Sequence, residues 1–322
     1  MKEVNEMADE AKRVRILTIG SANMDMVLRM KRVPAAGETI VDREGGLSYI
    51  PGGKGANCAV AAAKMGAISQ FCARLGADAN GKCLYDTYVE AGVDISYVRV
   101  DKTTNTGMAS ILVEANGNNR IVVYPGANQT LIPADAQEAI ASKPDAVCLQ
   151  FETPYEVTLE CAKMASARGI PVILDAAPAS RAIPLSEFPT VEIFSPNEIE
   201  TEIFTGIAPT NVESCMRACL ALSRMIKAKY YVLKLGSRGA FYFDGQLCNL
   251  IPAYRVAAVD TTAAGDAFTA ALAVRYCETG NLIGAIRFAC AVGALTVTKC
   301  GASRSIPTRE ETENFIASNP SL

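Results

Sequence analysis

The stretch Val259–Phe268 reads V-D-T-T-A-A-G-D-A-F and joins a β-type run to an apolar helical pattern. Between its two aspartates, Asp260 and Asp266, lie three consecutive small residues: Ala263, Ala264 and Gly265. Small residues at the start of a helix leave backbone N–H groups uncovered, and such a terminus attracts anions, phosphate above all. A carboxylate at that position repels phosphate, so its presence there indicates a chemical task. We therefore predict that Asp266 is a base beside a phosphate.

Few residue types can act as the general base, because the chain contains no histidine. A general base must then come from Asp, Glu, Lys, Tyr or Cys. The helix dipole favours the charged form of a carboxylate near a helix N-terminus. We therefore expect a lowered pKa for Asp266, which would leave this side chain ionised at pH 7.

The composition is that of a globular protein with a large core. Of 322 residues, 50% are hydrophobic and 20% are charged. The formal net charge is −3 and no basic cluster stands out, so we expect no nucleic-acid partner. The 11 cysteines include no C-x-x-C pair, and this scattered usage indicates a reducing compartment.

Neither end of the chain nor its apolar runs predict contact with a membrane. Residues 1–14 are charged, lack the apolar core of a signal peptide and are expected to form a disordered tail. The longest apolar run, Leu282–Thr298, contains Arg287 and is too short to cross a bilayer comfortably. We expect a cytoplasmic protein.

Apolar β-type runs alternate with helical patterns through most of the length. The candidate strands are Arg15–Ile19, Gln70–Leu75, Ala146–Phe151, Pro171–Leu174, Glu192–Phe194 and Tyr230–Leu235. Helical patterns between them include Ala56–Met65, Tyr155–Arg168 and Val212–Ala228, and the S/T-x-x-E spacing of Thr153 and Thr210 predicts capping boxes. The alternation predicts an α/β fold with a mainly parallel central sheet that helices cover on both faces, which makes three layers.

Two segments interrupt this alternation. Ala109–Tyr124 consists of two alternating strands around an Asn116–Gly117 turn, and Val27–Tyr49 alternates without a helical period. We predict that they form a small antiparallel sheet that serves as a lid, as a dimerising surface, or as both. The predicted division of the chain is a lid of 27–49 and 105–124 and an α/β domain of 15–26, 50–104 and 125–322.

Polar residues collect where the predicted strands end, and ligands bind beyond the carboxyl ends of the strands in an open parallel sheet. These residues are Gly20, Asn23, Asp25, Glu152, Asp175, Asn197, Glu200, Gly236 and Ser237. One such residue could be a turn or cap residue, whereas several at one edge favour a binding site. Gly52–Asn57, G-G-K-G-A-N, lets the backbone approach a ligand closely or simply starts a helix. It is not a Walker A loop, and no G-x-G-x-x-G follows the first strand.

These motifs together resemble the PfkB family of carbohydrate kinases, most closely its ribokinase branch, from about Arg15 to Ile306. The matching pieces come in the family's order: Gly20–Asp25, Pro51–Asn57, Gln150–Pro154, Pro196–Glu200, Leu235–Gly239 and Asp260–Asp266. The combination of G-G-K-G-A-N with N-x-D narrows the resemblance to the ribokinase branch.

The resemblance implies a role for each matched position. The sugar hydroxyls would be held by Asn23, Asp25, Gly53, Lys54, Asn57 and Glu152. Asp266 would accept the proton of the attacking hydroxyl, and the anion hole for the phosphoryl group would be Ala263, Ala264 and Gly265. The nucleotide would lie along Asn197, Lys234, Gly236, Ser237 and Gly239. Cys290 would stand near the adenine, where many ribokinases carry His or Asn.

The resemblance also implies cations and an activity. Glu200 belongs to the N-x-x-E motif that supports Mg²⁺, and an activating K⁺ would bind at Asp260, Thr262, Thr296, Gly301 and Ser305. The implied reaction is ATP-dependent phosphorylation of D-ribose at its 5-hydroxyl by a homodimer joined through the small sheet. A kinase of 2-deoxyribose, another pentose or a nucleoside is the alternative, and a non-catalytic sugar sensor is a further one.

Overall fold

The computed structural model describes residues 13–116 and 118–320. The predicted tail, 1–14, therefore lies outside the described residues except for Arg13 and Val14. The strands are β1 (Arg15–Ile19), β2 (Asn23–Met30), β3 (Gly46–Gly52), β4 (Ile68–Gly76), β5 (Asp94–Asp101), β6 (Gly107–Glu114), β7 (Asn119–Tyr124), β8 (Ala146–Leu149), β9 (Val172–Asp175), β10 (Val191–Ser195), β11 (Ala228–Lys234), β12 (Ala240–Phe243) and β13 (Cys248–Ile251).

The α-helices alternate with these strands in the order that the sequence predicts. They are α1 (Lys54–Lys64), α2 (Ala79–Glu90), α3 (Pro133–Ala141), α4 (Tyr155–Ser166), α5 (Glu198–Thr205), α6 (Val212–Leu222), α7 (Ala264–Thr279), α8 (Leu282–Thr296) and α9 (Arg309–Ser318). Among the described residues, none of these helices is both long and apolar enough to cross a bilayer.

A nine-stranded sheet forms the centre of the molecule, in the order β13-β12-β11-β10-β9-β8-β1-β4-β5. The strands from β11 to β5 are parallel, and β12 and β13 extend the sheet as antiparallel strands at one edge. Leu17 pairs with Gln70 of β4 on one side and with Val147 of β8 on the other. The ends of the parallel strands are thereby aligned at one edge of the sheet.

Helices cover both faces of this sheet, as the near-continuous apolar strands predict. Because side chains alternate across a strand, Ile16 and Leu17 of β1 point to opposite faces. Ile16 belongs to a buried cluster with residues of α1, α7 and α8, whereas Leu17 belongs to a second cluster with residues of α3, α4 and α6. The predicted three-layer α/β fold is confirmed.

A separate four-stranded sheet has the order β3-β2-β6-β7. Both outer pairs are antiparallel, as predicted, but the central pair, β2 with β6, is parallel. The reason is the connection: β2 follows β1 and β6 follows β5, two strands that run in the same direction in the main sheet, and Asn23 comes to lie opposite Gly107. β3, α1, β4, α2 and β5 intervene in the chain. Gly117 of the predicted hairpin turn lies outside the described residues.

The small sheet begins inside the stretches that the sequence assigns to the main domain. β2 starts at Asn23 and β3 ends at Gly52, so both strands run past the predicted lid segment, 27–49. The entry to β6 is held by Asp78, which accepts hydrogen bonds from Thr106 N (2.8 Å) and Thr106 Oγ1 (2.7 Å). The proposed domain division remains a prediction. Residues assigned to the main domain near its boundary, such as Asn23 and Gly52, are part of strands of the small sheet.

Both predicted capping boxes are wrong. α4 has Pro154 at its N-cap, without a side-chain cap, and Thr153 Oγ1 lies 3.2 Å from Thr158 Oγ1 instead. α6 is capped by Asn211, whose side chain accepts from Ser214 N at 2.8 Å. The amide of Asn caps as well as a hydroxyl does, so a box one residue further along the chain displaces the predicted one.

Candidate active site

The N-terminus of α7 lies at the carboxyl edge of the main sheet and opens with an unusual backbone. Ala263, its N-cap, has a left-handed conformation with φ of 63°. Ala264 N reaches Thr261 O at 3.3 Å, and Ala267 N bonds to Ala263 O at 2.9 Å. Among the described residues, the intervening N–H groups of Gly265 and Asp266 have no acceptor. These two groups are the unoccupied donors that an anion would find here.

Asp266 is buried at this terminus, with 7% of its surface exposed. Its carboxylate accepts a hydrogen bond from Asn57 Nδ2 at 2.8 Å and lies 3.8 Å from Lys54 Nζ. Burial raises the pKa of Asp266, against the opposing effect of Lys54, and the charge of Asp175 raises this pKa further. The expectation of a lowered pKa is wrong because desolvation by distant segments outweighs the helix dipole.

The G-G-K-G-A-N stretch positions these two partners of Asp266. Gly53 caps α1 with φ of 92°, where a Cβ atom would come within 2.8 Å of Asn23 N. Lys54 N donates to Glu152 Oε2 at 3.1 Å, and Ser21 Oγ donates to the same oxygen at 2.5 Å. The loops after β1 and β8 are thus joined to the start of α1. Coulombic attraction to Asp266 raises the pKa of Lys54, which keeps its ammonium charged.

Asn128 is a site residue that the sequence analysis missed. Its Nδ2 donates to Asn23 Oδ1 at 2.7 Å, and its Oδ1 accepts from Ala22 N at 2.9 Å. Asn128 follows the β6–β7 hairpin and is 1% exposed. No local pattern around it signals this contact, which spans more than a hundred residues of chain.

A cavity of about 660 Å³ separates β2, β3, β6 and β7 from the loop before α7. Its lining includes Asp25 and Arg29 of β2 together with Asp260 and Thr262 of the loop. Burial raises the pKa of Asp25 to about 7, and the charges of Glu152 and Asp266 contribute to this shift. Of the residues that the resemblance assigns to the sugar, Asp25 lines this cavity, and the effects of Glu152 and Lys54 on the pKa of Asp25 show that these two charges lie nearby.

The five residues predicted to hold a monovalent cation are not alike in their surroundings. Asp260 ties the loop together, because its carboxylate accepts from Thr262 N at 2.9 Å and Gly301 N at 3.1 Å. Burial alone would raise the pKa of Asp260, but these hydrogen bonds outweigh it and the pKa is lowered. Thr296 and Ser305 are buried, and their hydroxyls donate to the carbonyls of Val292 and Ala302.

A second cavity, of about 540 Å³, lies on the other side of the same loop. Five of the six residues predicted for the nucleotide line it: Lys234, Gly236, Ser237, Gly239 and Cys290. Its remaining lining is largely apolar and includes Tyr254, Val256 and Phe268. Ala258 and Thr261 line both cavities, so the two spaces adjoin at the entrance to α7. This arrangement allows two ligands to meet at the start of α7, the helix that carries Asp266.

Asn197 and Glu200, by contrast, form the capping box of α5. Asn197 N and Nδ2 donate to the two Glu200 oxygens at 2.8 and 2.7 Å, and Asn197 Oδ1 accepts from Glu200 N. Burial raises the pKa of Glu200. In the described part of the chain, no cluster of three or more acidic or cysteine side chains forms a metal cage. These residues fit a Mg²⁺ ion that arrives with a phosphate ligand and keeps most of its waters.

Asp175 and Lys234 form a buried ion pair between the ends of β9 and β11. Lys234 Nζ donates to Asp175 Oδ2 at 2.5 Å, and Thr269 Oγ1 of α7 donates to the same oxygen at 2.6 Å. Asp175 directly follows a predicted strand, and the sequence alone indicates no individual role for it. The pairing could not be read from the chain, because the two residues are separated by 59 positions and meet across β10.

The raised pKa of Asp25 predicts a dependence of stability on pH. A carboxyl that keeps its proton to about pH 7 when folded, against an ordinary value of 3.8, stabilises the fold at low pH and ceases to do so as pH rises. Between pH 4 and pH 8, the free energy of unfolding of the sugar-free protein should therefore fall relative to that of Asp25→Asn. We expect a relative change of roughly 2–4 kcal/mol, since one pKa unit corresponds to about 1.4 kcal/mol.

Urea unfolding of both proteins at several pH values measures this difference, and the subtraction removes contributions from groups that do not interact with Asp25. A wild-type protein that gains stability over the variant as pH rises would contradict the raised pKa of Asp25.

Comparisons with known proteins identify the family of the chain. The family model for pfkB family carbohydrate kinases matches residues 14–309. The ribokinase of Staphylococcus aureus is 36% identical over 92% of this chain and 98% of its own length, and the deoxyribokinase of Salmonella typhimurium is 33% identical over 94% and 99%. A solved structure of Arabidopsis thaliana ribokinase complexed with ribose and ATP has a TM-score of 0.87 at 33% identity, covering 94% of this chain and 99% of that chain. The chain belongs to the pfkB family of carbohydrate kinases.

Proposed function

We propose that this kinase transfers the γ-phosphoryl group of ATP to the 5-hydroxyl of D-ribose. The observation that carries the proposal is the start of α7: a buried carboxylate, Asp266, beside two free N–H groups, on the helix at whose entrance two cavities adjoin. Phosphoryl transfer needs chiefly positioning and charge stabilisation, and this site supplies both. The similarity to the S. aureus ribokinase and to the ribose-bound and ATP-bound Arabidopsis structure supports ribose as the sugar.

Asp266 is the general base in this proposal. Its raised pKa suits the task, since a base works best when its pKa is not far below the operating pH. Lys54, at 3.8 Å, and the hydrogen bond from Asn57 stabilise the ionised carboxylate that must accept the proton. The free N–H groups of Gly265 and Asp266, preceded by Ala263 and Ala264, stabilise the charge on the phosphoryl group.

The sugar lies in the cavity of about 660 Å³ that Asp25 lines. Asp25 and Glu152 accept hydrogen bonds from hydroxyls, and these carboxylates favour a neutral polyol over an acidic or phosphorylated sugar. Asn57 Oδ1 is buried and has no partner among the described residues, which leaves it available as a further acceptor. Asn23 is held by Asn128, and Gly53 brings the backbone close to the ligand.

The nucleotide lies in the largely apolar cavity. The adenine ring packs near Cys290 and Phe268, and the phosphates extend past Gly236 and Ser237 towards α7. Asn197 and Glu200 would support a Mg²⁺ ion bound to the phosphates, and this ion would supply charge neutralisation there. The small sheet acts as the lid that covers the sugar.

An activating K⁺ binds in the loop beside Asp260. Among the described residues, no hydrogen-bond donor reaches the carbonyl oxygens of Asp260, Thr262 or Gly301, so these oxygens are available to a cation. Thr296 and Ser305 complete the set that we propose. The Asp260 carboxylate orders this loop, which immediately precedes the anion site. A cation bound in the loop therefore acts on the reaction centre through the position of the loop.

The kinase acts as a homodimer joined through the small sheet, and it works in the cytoplasm. Every residue of the edge strand β7 is exposed, including Ile121, Val122 and Tyr124, and Leu47 and Tyr49 of β3 are exposed as well. An exposed apolar edge of this kind favours pairing with a second copy. The 11 cysteines, all within the described residues, are free thiols, which fits a reducing compartment.

A coupled assay of ADP release with Mg²⁺–ATP tests the proposed reaction. We expect D-ribose to be phosphorylated faster than 2-deoxyribose, and ribose 5-phosphate to be the product by mass spectrometry. A preference for 2-deoxyribose would make the protein a deoxyribokinase instead. Sugar binding without ADP release from any pentose or nucleoside would identify a sensor.

The matched control for this assay is Asp266→Asn, which keeps the size of the side chain but removes its charge and replaces one acceptor oxygen with a donor. Because a general base contributes a factor of roughly 10²–10⁴, kcat should fall by that factor while ribose still binds in calorimetry. Turnover close to that of the wild type would rule out Asp266 as the base.

The K⁺ proposal predicts a dependence on the monovalent cation at constant ionic strength. Turnover should be higher in potassium chloride than in sodium or choline chloride, because K⁺ matches a site built from carbonyl oxygens. Rates that are equal in the three salts would exclude an activating cation.

The dimer proposal predicts a molar mass in solution of twice that of the chain. Light scattering coupled to gel filtration measures this mass, and Val122→Lys, which places a charge at the edge of the small sheet, should yield monomers. A wild-type protein that is monomeric at assay concentrations would contradict the proposal.

A further inference from the structure

We infer that Lys234 is a catalytic residue that contacts the phosphoryl group in transfer, and that Asp175 and Thr269 are the residues that position it. The inference rests on the proposed kinase reaction and adds to it a second cation beside the anion site of α7. Two observations support the inference: the Asp175–Lys234 ion pair at the ends of β9 and β11, and the proximity of this pair to Gly265.

The ammonium group of Lys234 lies directly beside the start of α7. A Cβ atom built on Gly265 would be 3.6 Å from Lys234 Nζ, which makes this ammonium the neighbour of the free N–H groups. Lys234 also lines the cavity proposed for the nucleotide. A phosphoryl group bound at the helix terminus would therefore lie within reach of the ammonium.

Asp175 fixes the direction of the lysine side chain. Its Oδ2 accepts from Lys234 Nζ (2.5 Å) and from Thr269 Oγ1 (2.6 Å), and its Oδ1 accepts from Ala177 N (3.2 Å). The side chain of Asp175 is 2% exposed and that of Lys234 is 11% exposed. The hydrogen bonds from Thr269 and Ala177 thus fix the position of the Asp175 carboxylate, and the carboxylate in turn orients Lys234.

The ammonium keeps donors for a ligand. An ammonium group has three N–H donors, and Asp175 Oδ2 is the one acceptor of Lys234 Nζ among the described residues. Two N–H groups remain for phosphoryl oxygens. A buried ion pair contributes little net stability after desolvation, so its position at the opening of a cavity favours a role in binding charge.

Two ammonium groups lie near the start of α7. Lys54 lies beside Asp266, and Lys234 lies beside Asp175. Both ammonium groups would offset the negative charge that the phosphoryl oxygens bring. The Asp175 charge is also close enough to disfavour ionisation of Asp266.

A double-mutant cycle separates a catalytic role from a purely structural one. Lys234→Met leaves the buried Asp175 charge unpaired, so both thermal stability and kcat should fall. Asp175→Asn combined with Lys234→Met removes both charges and should recover most of the stability. If Lys234 contacts the phosphoryl group, kcat of the double variant should stay lower than that of the wild type by roughly 10²–10³, the usual cost of losing one such donor.

Two controls complete this cycle. Lys229→Met makes the same change at an exposed ion pair on the same strand and should leave kcat unchanged. Thr269→Val removes one of the bonds to Asp175, and kcat should fall less than in Lys234→Met. Recovery of kcat in the double variant, or a rise in the ATP KM alone, would overturn the inference.

A binding measurement keeps this test independent of the sugar. ADP with aluminium fluoride mimics a phosphoryl group in transfer, and calorimetry measures its affinity without turnover. Lys234→Met should lose affinity for ADP–aluminium fluoride but little affinity for ADP. If the wild type is inactive with ribose and this difference persists, the proposed substrate fails and the role of Lys234 stands; equal losses for both ligands would refute that role.

Discussion

Burial of carboxylates beside an anion site is the constraint on which this structure depends. Asp266 and Asp175 are both almost fully buried, and each would be destabilised as an ion unless a cation or a set of donors lay next to it. Lys54 and Asn57 serve Asp266, and Lys234 serves Asp175. Because these partners come from two segments, α1 and the end of β11, and the two carboxylates come from two others, the site exists only when the loops after several strands are held together.

The parallel sheet supplies that arrangement. Its aligned strand ends bring the loops after β1, β8, β9 and β11 to one edge, where α1 and α7 also begin. The small sheet extends from the same edge, because β2 starts only four residues after β1 ends. Asp25 therefore belongs to the small sheet and faces the cavity in front of α7. Under the proposed function, one strand thus both covers and recognises the sugar.

Much of this organisation could be predicted from the chain. Strand β1 has the predicted bounds, and the D-T-T-A-A-G-D and G-G-K-G-A-N stretches do open helices, since small residues and glycines there leave few local alternatives. The capping box of α6 failed because the neighbouring Asn211 takes the cap, and that of α4 failed because the helix has Pro154 at its N-cap while Thr153 pairs with Thr158. The parallel pairing of β2 with β6 depends on how five intervening elements fold, and no pattern within either strand reports it.

The sequence by itself determined the α/β class, the family motifs and the identity of the acidic, lysine and glycine residues at the strand ends, because these follow from local periodicity and composition. Only the tertiary structure decided which of these groups meet. The pKa of Asp266 is raised rather than lowered because remote segments desolvate it, and Asp175 acquires Lys234 as a partner across β10. Desolvation and charge pairing depend on distances between segments, and these distances are set when the layers pack.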